Sequence, residues 1–161
     1  MSIQIVRADY HNPEDAAAIV ALLDAYAHDP MGGAEPLPQA VKDALVPRLA
    51  ELPHAFSVLA WAGDQAVGLV NCFMGFSTFV AQPLVNIHDV AVLPDYRGQG
   101  ISQQMLAEVE AIARERGCCK LTLEVLEGNT PAQQAYLKLG FAGYALDPVM
   151  GRAMFWQKKL A

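Results

Sequence analysis

The stretch Val90-Ala91-Val92-Leu93-Pro94-Asp95-Tyr96-Arg97-Gly98-Gln99-Gly100-Ile101-Ser102 joins the end of an apolar strand to the start of an amphipathic helix through a loop with two glycines. Such a junction is an anion cradle. The first turn of a helix leaves backbone N–H groups without partners, the helix dipole places about half a positive charge there, and glycine lets a phosphate approach the main chain. Two phosphate-binding patterns are excluded by the residues themselves. A P-loop needs Lys-Ser/Thr behind its last glycine, and a dinucleotide fingerprint needs a third glycine where Gln103 stands, with a later ribose-binding acid. A second stretch, Leu123-Glu124-Val125 with Asn129 and then Tyr136-Leu137-Lys138-Leu139-Gly140-Phe141, brings a carboxylate, an amide and a phenol into a short strand, turn and helix. Those groups are suited to proton transfer and ligand contact.

Arg97-x-x-Gly100-x-Ser102 resembles the Arg/Gln-x-x-Gly-x-Gly/Ala signature of the GNAT N-acetyltransferases, whose loop binds the pyrophosphate of acetyl-coenzyme A. Ser102 departs from the usual Gly or Ala, and its small hydroxyl fits beside a phosphate and can donate to it. The second stretch resembles the second conserved block of that superfamily, with Asn129 and Tyr136 seven residues apart as the pattern requires. The likeness holds over about 84–145, while residues 9–55 carry none at residue level. It implies an α/β, GNAT-like fold with about six or seven strands in a mixed, mostly antiparallel sheet and helices on both faces, in a single domain over 1–161. It further implies acetyl-CoA as co-substrate, no metal, and acetyl transfer to a primary amine of a small molecule or of a peptide or protein N-terminus. In that reading the backbone at Val90, Ala91 and Val92 pairs with the pantetheine arm, and an N–H there polarises the thioester carbonyl. Arg97, Gly98, Gln99, Gly100, Ile101 and Ser102 hold the pyrophosphate. Asn129 contacts the coenzyme, and Tyr136 touches it and protonates the departing sulfur. A phenol with a reference pKa of about 10 is suited to donating at neutral pH.

Two residues compete as the base. Glu124 lies twelve residues before Tyr136, which resembles the arrangement in bacterial ribosomal-protein alanine N-acetyltransferases. His88 sits where arylalkylamine N-acetyltransferases carry a histidine that relays protons through water. An imidazole, with a reference pKa of about 6.5, needs little tuning, whereas a carboxylate needs its pKa raised by burial. Glu124 ranks above His88, and a water relay using both stays open. Strict alternation puts His88 and Asp89 on opposite faces of their strand. Asp89 either attracts a cationic amine or caps a backbone group. Tyr26, His28, Gly32-Gly33 and Val149-Met150-Gly151 are expected at the acceptor rim by family analogy. Each candidate also has a plain structural role: packing aromatic for Tyr136, turn residue for Asn129, hydrogen-bonded strand carboxylate for Glu124, core histidine for His88. The competing class of function is a non-catalytic coenzyme A-binding or protein-interaction module on the same fold.

These groups need elements to hold them. Ile3 to Arg7 alternates as a strand. Asn12-Pro13-Glu14-Asp15 then supplies a cap, a proline at the first helical position and two acids in the positive first turn, predicting a helix over 13–28 that stops at Asp29-Pro30. Val41, Ala44, Leu45, Leu49 and Leu52 mark a second helix that Pro47 should break. Phe56 to Trp61 and Ala66 to Phe76 read as a hairpin turned at Gly63-Asp64, followed by a strand at about 84–93. Ile101, Met105, Val109 and Ile112 specify a helix ending at Gly117. Leu121, Leu123 and Val125 alternate as a strand, Thr130-Pro131-Ala132-Gln133 caps a helix over 131–139, and two tail strands are expected near 141–146 and 152–160.

Composition sets the outer limits. With 161 residues, 53% of them hydrophobic and 17% charged, the chain fits one packed domain, and no apolar run is long enough to span a bilayer. A net charge of −6 argues against a phosphate-backbone binder, so nucleic acid is not an expected partner. The first residues read as a strand and not as a secretory signal, which predicts a cytoplasmic protein with no membrane partner. Cys72, Cys118 and Cys119 suit buried reduced thiols, and exposed edge strands leave room for a homodimer.

Overall fold

β2 (Ala55–Ala62) and β3 (Gln65–Ser77) are nearly continuous apolar runs, and they pair antiparallel around Gly63, whose φ of +61° is the left-handed geometry such a turn needs. The structure, a computed structural model, describes residues 2–144 and 146–160. The chain divides into two compact units, Met1–Gly128 and Asn129–Ala161. In the first unit β1 (Ile3–Arg7) pairs with β2, and β4 (Gln82–Val92) with β3, both antiparallel; β5 (Leu121–Leu123) joins β4 in parallel, giving the order β1-β2-β3-β4-β5.

Helices cover both faces of this sheet. α1 (Pro13–His28) and α2 (Gln39–Ala50) lie on one, where Ala18, Ile19, Leu22 and Val46 pack with Leu59 and Leu69. α3 (Ile101–Glu115) buries Ile101, Met105, Val109 and Ile112 on the other. Its approach is close: a Cβ on Gly68 would stand 2.9 Å from Met105 Cε, so β3 carries no side chain there. Burying each such aliphatic side chain contributes about 1.5–3 kcal/mol, which makes these two layers the main source of stability. Asn12 caps α1 by accepting from the Glu14 and Asp15 amides, so the helix begins where local chemistry said it should. None of the described helices is long and apolar enough to cross a membrane.

Three expectations are corrected in detail. α2 runs unbroken through Pro47. That residue is exposed while Val46 and Leu49 anchor the helix in the core, so the carbonyl it leaves unpaired meets water. β5 stops at Leu123, leaving Glu124 and Val125 beyond its end. The sheet has five strands among the described residues, not six or seven, because 141–144 and 146–160 carry none; Ala145, inside the first expected tail strand, lies outside the described residues. Alternation selects which side chains share a face, but a strand also needs a neighbour to take its hydrogen bonds.

The second unit holds α4 (Thr130–Lys138). Asn129, one residue earlier than expected, is its cap and accepts from the Ala132 amide at 3.3 Å. The helix ends on Gly140 at φ +90°, where the Phe141 amide donates back to the Tyr136 carbonyl at 3.1 Å.

Candidate active site

The site begins where β4 loses its partner. β5 pairs only with Val85–Ile87, whereas β3 accompanies β4 as far as Val92. From His88 to Val92, therefore, the backbone groups turned away from β3 face no strand among the described residues. Peptide groups in that position need another partner, and an extended ligand with amides of its own can supply one. Val90, Ala91 and Val92, the expected pantetheine-binding residues, lie on this open edge.

The edge leads into the loop. Arg97 closes a short 3-10 turn over Pro94–Tyr96, and Gly98 and Gly100 follow with φ of +76° and +75°, a backbone state that L side chains rarely adopt. Gly100 is the N-terminal cap of α3, and no side chain caps the first turn among the described residues. The first turn also lacks acidic residues, so the amides and dipole of the fifteen-residue helix are left for an anion, with half-buried Ser102 beside them. A Cβ built on Gly98 meets nothing within 4 Å, which leaves the main chain open to approach. Ile101 is buried and anchors the helix start from below, and Gln99 folds back to the Asp95 carbonyl at 3.3 Å.

Arg97 is already engaged. Its Nε donates to the Val92 carbonyl at 3.0 Å, and its Nη2 pairs with Asp29 Oδ2 at 3.1 Å, at the end of α1. Leu22, Tyr26, Asp29, Ala91, Val92 and Arg97 line a cavity of about 230 Å³ beside this pair. Tyr26 and His28, expected at the acceptor rim, are both on its wall. Burial, then the charges of Asp89 and Asp29, push the Tyr26 phenol above its ordinary value, so it stays protonated.

His88 is exposed, and its ring meets the Phe73 ring edge-on at 5.4 Å. The expected separation of His88 and Asp89 onto opposite faces does not occur. The register opposes Asn71 with Asp89 and Cys72 with Ile87, which makes His88 the extra residue of a β-bulge. Asp89 accepts from Asn71 Nδ2 at 3.1 Å while His88 contacts Phe73, two residues along β3, so both side chains turn to the face carrying α1. Glu124 is exposed just past β5. In the second unit, Asn129 caps α4, and half-buried Tyr136 packs its ring on Phe141 at 5.9 Å.

Two features were not anticipated. The Asp29–Arg97 pair joins residues 68 positions apart and has no local signature. Ser57 and Asn71, by contrast, are polar residues inside apolar runs and stand directly opposite each other, which is a legible sign of a buried polar contact.

The cysteines separate by environment. Cys72 is buried, Cys118 half-buried and Cys119 exposed, so only the first fully fits the expected buried thiol. Burial, then the charge of Asp89, push the Cys72 thiol up to about 12 from a reference of 9.0. Alkylation of the folded protein at pH 8 is expected to modify Cys119 and spare Cys72, as read by peptide mass spectrometry; modification of Cys72 at the same rate contradicts this burial. Because the unfolded thiol ionises first, this contribution to stability is complete below pH 9 and is lost as the pH climbs toward 12.

The family model described as the acetyltransferase (GNAT) family matches residues 19–141. The chain is 41% identical over 66 residues to the streptothricin acetyltransferase of Streptomyces lavendulae, covering 41% of this chain and 35% of the relative. It is 35% identical over 78 residues to the thialysine N-epsilon-acetyltransferase of Bos taurus, covering 48% and 45%. The chain thus spans less than half the length of these curated relatives. Among solved structures, the aminoglycoside N-acetyltransferase AAC(6')-Iy, in complex with a bisubstrate analogue CoA-S-monomethyl-acetylneamine, superposes with a TM-score of 0.76 over 99% of this chain and 100% of that one, at 20% identity. At that identity the likeness is one of fold.

Proposed function

The chain belongs to the GNAT acetyltransferase family, and from that premise we propose that it transfers the acetyl group of acetyl-coenzyme A to a primary amine. The observation that carries this reading is the run of backbone groups from the open β4 edge at His88–Val90, through Gly98 and Gly100, into the first turn of α3, interrupted at the Val92 carbonyl, which Arg97 Nε already holds. An extended thioester arm ending in a pyrophosphate is complementary to that run. The acceptors named for the relatives, streptothricin and thialysine, support a small-molecule amine over a peptide N-terminus. The family match crosses the boundary at Gly128, which supports reading 1–161 as one catalytic domain.

In the proposed reaction the lone pair of the neutral amine attacks the thioester carbonyl carbon, and the carbonyl electrons move onto oxygen. A β4 backbone N–H near Val90 stabilises that oxyanion. Collapse breaks the C–S bond, the thiolate takes a proton from Tyr136, and the proton on the new amide nitrogen passes to Glu124 or His88. Exposure of both bases favours transfer through water over direct contact. The role of Tyr136 rests on its motif and is tested by substitution.

The Arg97–Asp29 pair leads to a further expectation. A pyrophosphate must compete with Asp29 for Arg97 Nη2. Asp29→Asn removes the charge but keeps an oxygen for the Met31 amide, which the Asp29 carboxylate now accepts at 3.0 Å. Such an exposed pair is worth up to about 1 kcal/mol, so coenzyme A should bind D29N about two- to fivefold more tightly. Weaker binding by calorimetry contradicts the competition.

The reading as a whole is tested by titrating coenzyme A into the protein and assaying turnover on an amine panel. Binding with turnover supports the transferase. Binding with no turnover on any amine favours a coenzyme-binding module, and no binding refutes both.

A further inference from the structure

Four side chains form one hydrogen-bonded line across the sheet face that carries α1. Tyr10 Oη and Ser57 Oγ lie 2.8 Å apart, Ser57 Oγ donates to Asn71 Oδ1 at 2.6 Å, and Asn71 Nδ2 donates to Asp89 Oδ2 at 3.1 Å. A serine has one hydroxyl hydrogen, and Ser57 gives it to Asn71, so Tyr10 must be the donor to Ser57. The direction of the line is therefore set. With its oxygen turned to Ser57, the Asn71 amide can present only its NH2 to the carboxylate; the reverse orientation would set oxygen against oxygen.

The line is also placed where polarity is expensive. Ser57 and Asn71 are 1% and 3% exposed, inside β2 and β3, where their neighbours are apolar. Val or Ala at either position would satisfy the core without any hydrogen bond. What the buried pair achieves is the fixed orientation of one half-buried carboxylate beside the cavity.

That carboxylate differs from its neighbours. Asp24 is paired with Lys42 at 3.0 Å and Asp29 with Arg97 at 3.1 Å, whereas no ion pair reaches Asp89 among the described residues. Its charge is felt at Tyr26, which lines the cavity, and Ala91, two residues further along the same strand face, lines it as well. An oriented carboxylate with no cation of its own is a counter-charge for something outside the chain. It is poorly suited to holding the reacting nitrogen, since a carboxylate favours the ammonium form and the attacking amine must be neutral. It suits a second, non-reacting positive charge.

We propose that Asp89 binds a second cationic group of the acceptor, making the preferred acceptors diamines or larger polyamines, and that Asn71 is the positioning residue that aims it. This rests on the acetyl-transfer reading above.

The test compares 1,4-diaminobutane with butylamine at saturating acetyl-CoA, for wild type, Asp89→Asn and Asn71→Ala. Asp89→Asn is nearly isosteric and keeps an oxygen for Asn71, so it should fold; melting temperatures monitor both variants. Wild type is expected to favour the diamine at least about tenfold in kcat/KM, the gain from one well-placed charge pair. In D89N that diamine-to-monoamine ratio should collapse by a similar factor, mainly through the diamine KM. N71A should move the ratio in the same direction by a smaller factor, a selectivity change that a loosened sheet alone would not produce. A wild type without diamine preference, or a D89N ratio equal to wild type, overturns the proposal. A wild type that acetylates no amine at all overturns the acetyl-transfer reading itself, and this inference with it.

Discussion

Tyr136→Phe lowers kcat by about 10²- to 10⁴-fold, the usual contribution of a positioned general acid, while the KM for acetyl-CoA stays nearly constant. The substitution removes one oxygen. The ring that packs against Phe141 at 5.9 Å remains, as do the Asn129 cap at one end of α4 and the Gly140 turn at the other. Loss of fold is therefore a poor explanation for loss of rate, and an unchanged melting temperature would exclude it. If the phenol protonates the leaving thiolate, the deficit should shrink with acyl donors whose thiols are more acidic, because such leaving groups need less help. A variant that turns over at the wild-type rate removes Tyr136 from the mechanism and leaves it as a packing residue.

Ser102→Asp has effects of opposite sign on stability and on binding. The side chain stands in the first turn of α3, where no acid now meets the helix dipole. A carboxylate there contributes about 0.3–1 kcal/mol, raising Tm by about 1–4 °C for a chain of this size. The same charge lies at the proposed pyrophosphate site. Two unit charges about 5 Å apart repel by about 3 kcal/mol at an effective dielectric constant of about 20, so coenzyme A should bind about 10²-fold more weakly. Calorimetry and a melting curve on one sample read both effects. A variant that gains stability and keeps its coenzyme affinity would show that the helix start is not the anion site.

Features set by local chemistry were legible from the chain. Asn12-Pro13 and Asp29-Pro30 mark both ends of α1 because a cap and a proline act on their immediate neighbours. Gly98 and Gly100 mark a loop that needs backbone freedom, and both adopt the left-handed state that L side chains rarely take. What escaped depends on partners distant in sequence. The bulge at His88 carries no glycine or proline to mark it, and it reversed the expected relation of His88 to Asp89. The local chemistry of Pro47 predicts a break in its helix, but its exposed position, set by the packing of Val46 and Leu49, makes the lost hydrogen bond tolerable. The tail around 152–160 has a strand-like pattern, but a pattern does not provide a neighbouring edge. Asn71 could be recognised as an odd residue in an apolar strand; that it aims Asp89 requires the register of three strands at once.

Acetyl transfer itself is open to direct measurement. Purified protein mixed with acetyl-CoA and a panel of mono- and diamines should release free coenzyme A thiol, measured with a chromogenic disulfide, in amounts matching the acetylated amine found by mass spectrometry. Release is expected to depend on the amine and to fall sharply in Tyr136→Phe and Ser102→Asp. Thiol release no faster than hydrolysis in buffer, with every amine tested, would contradict it.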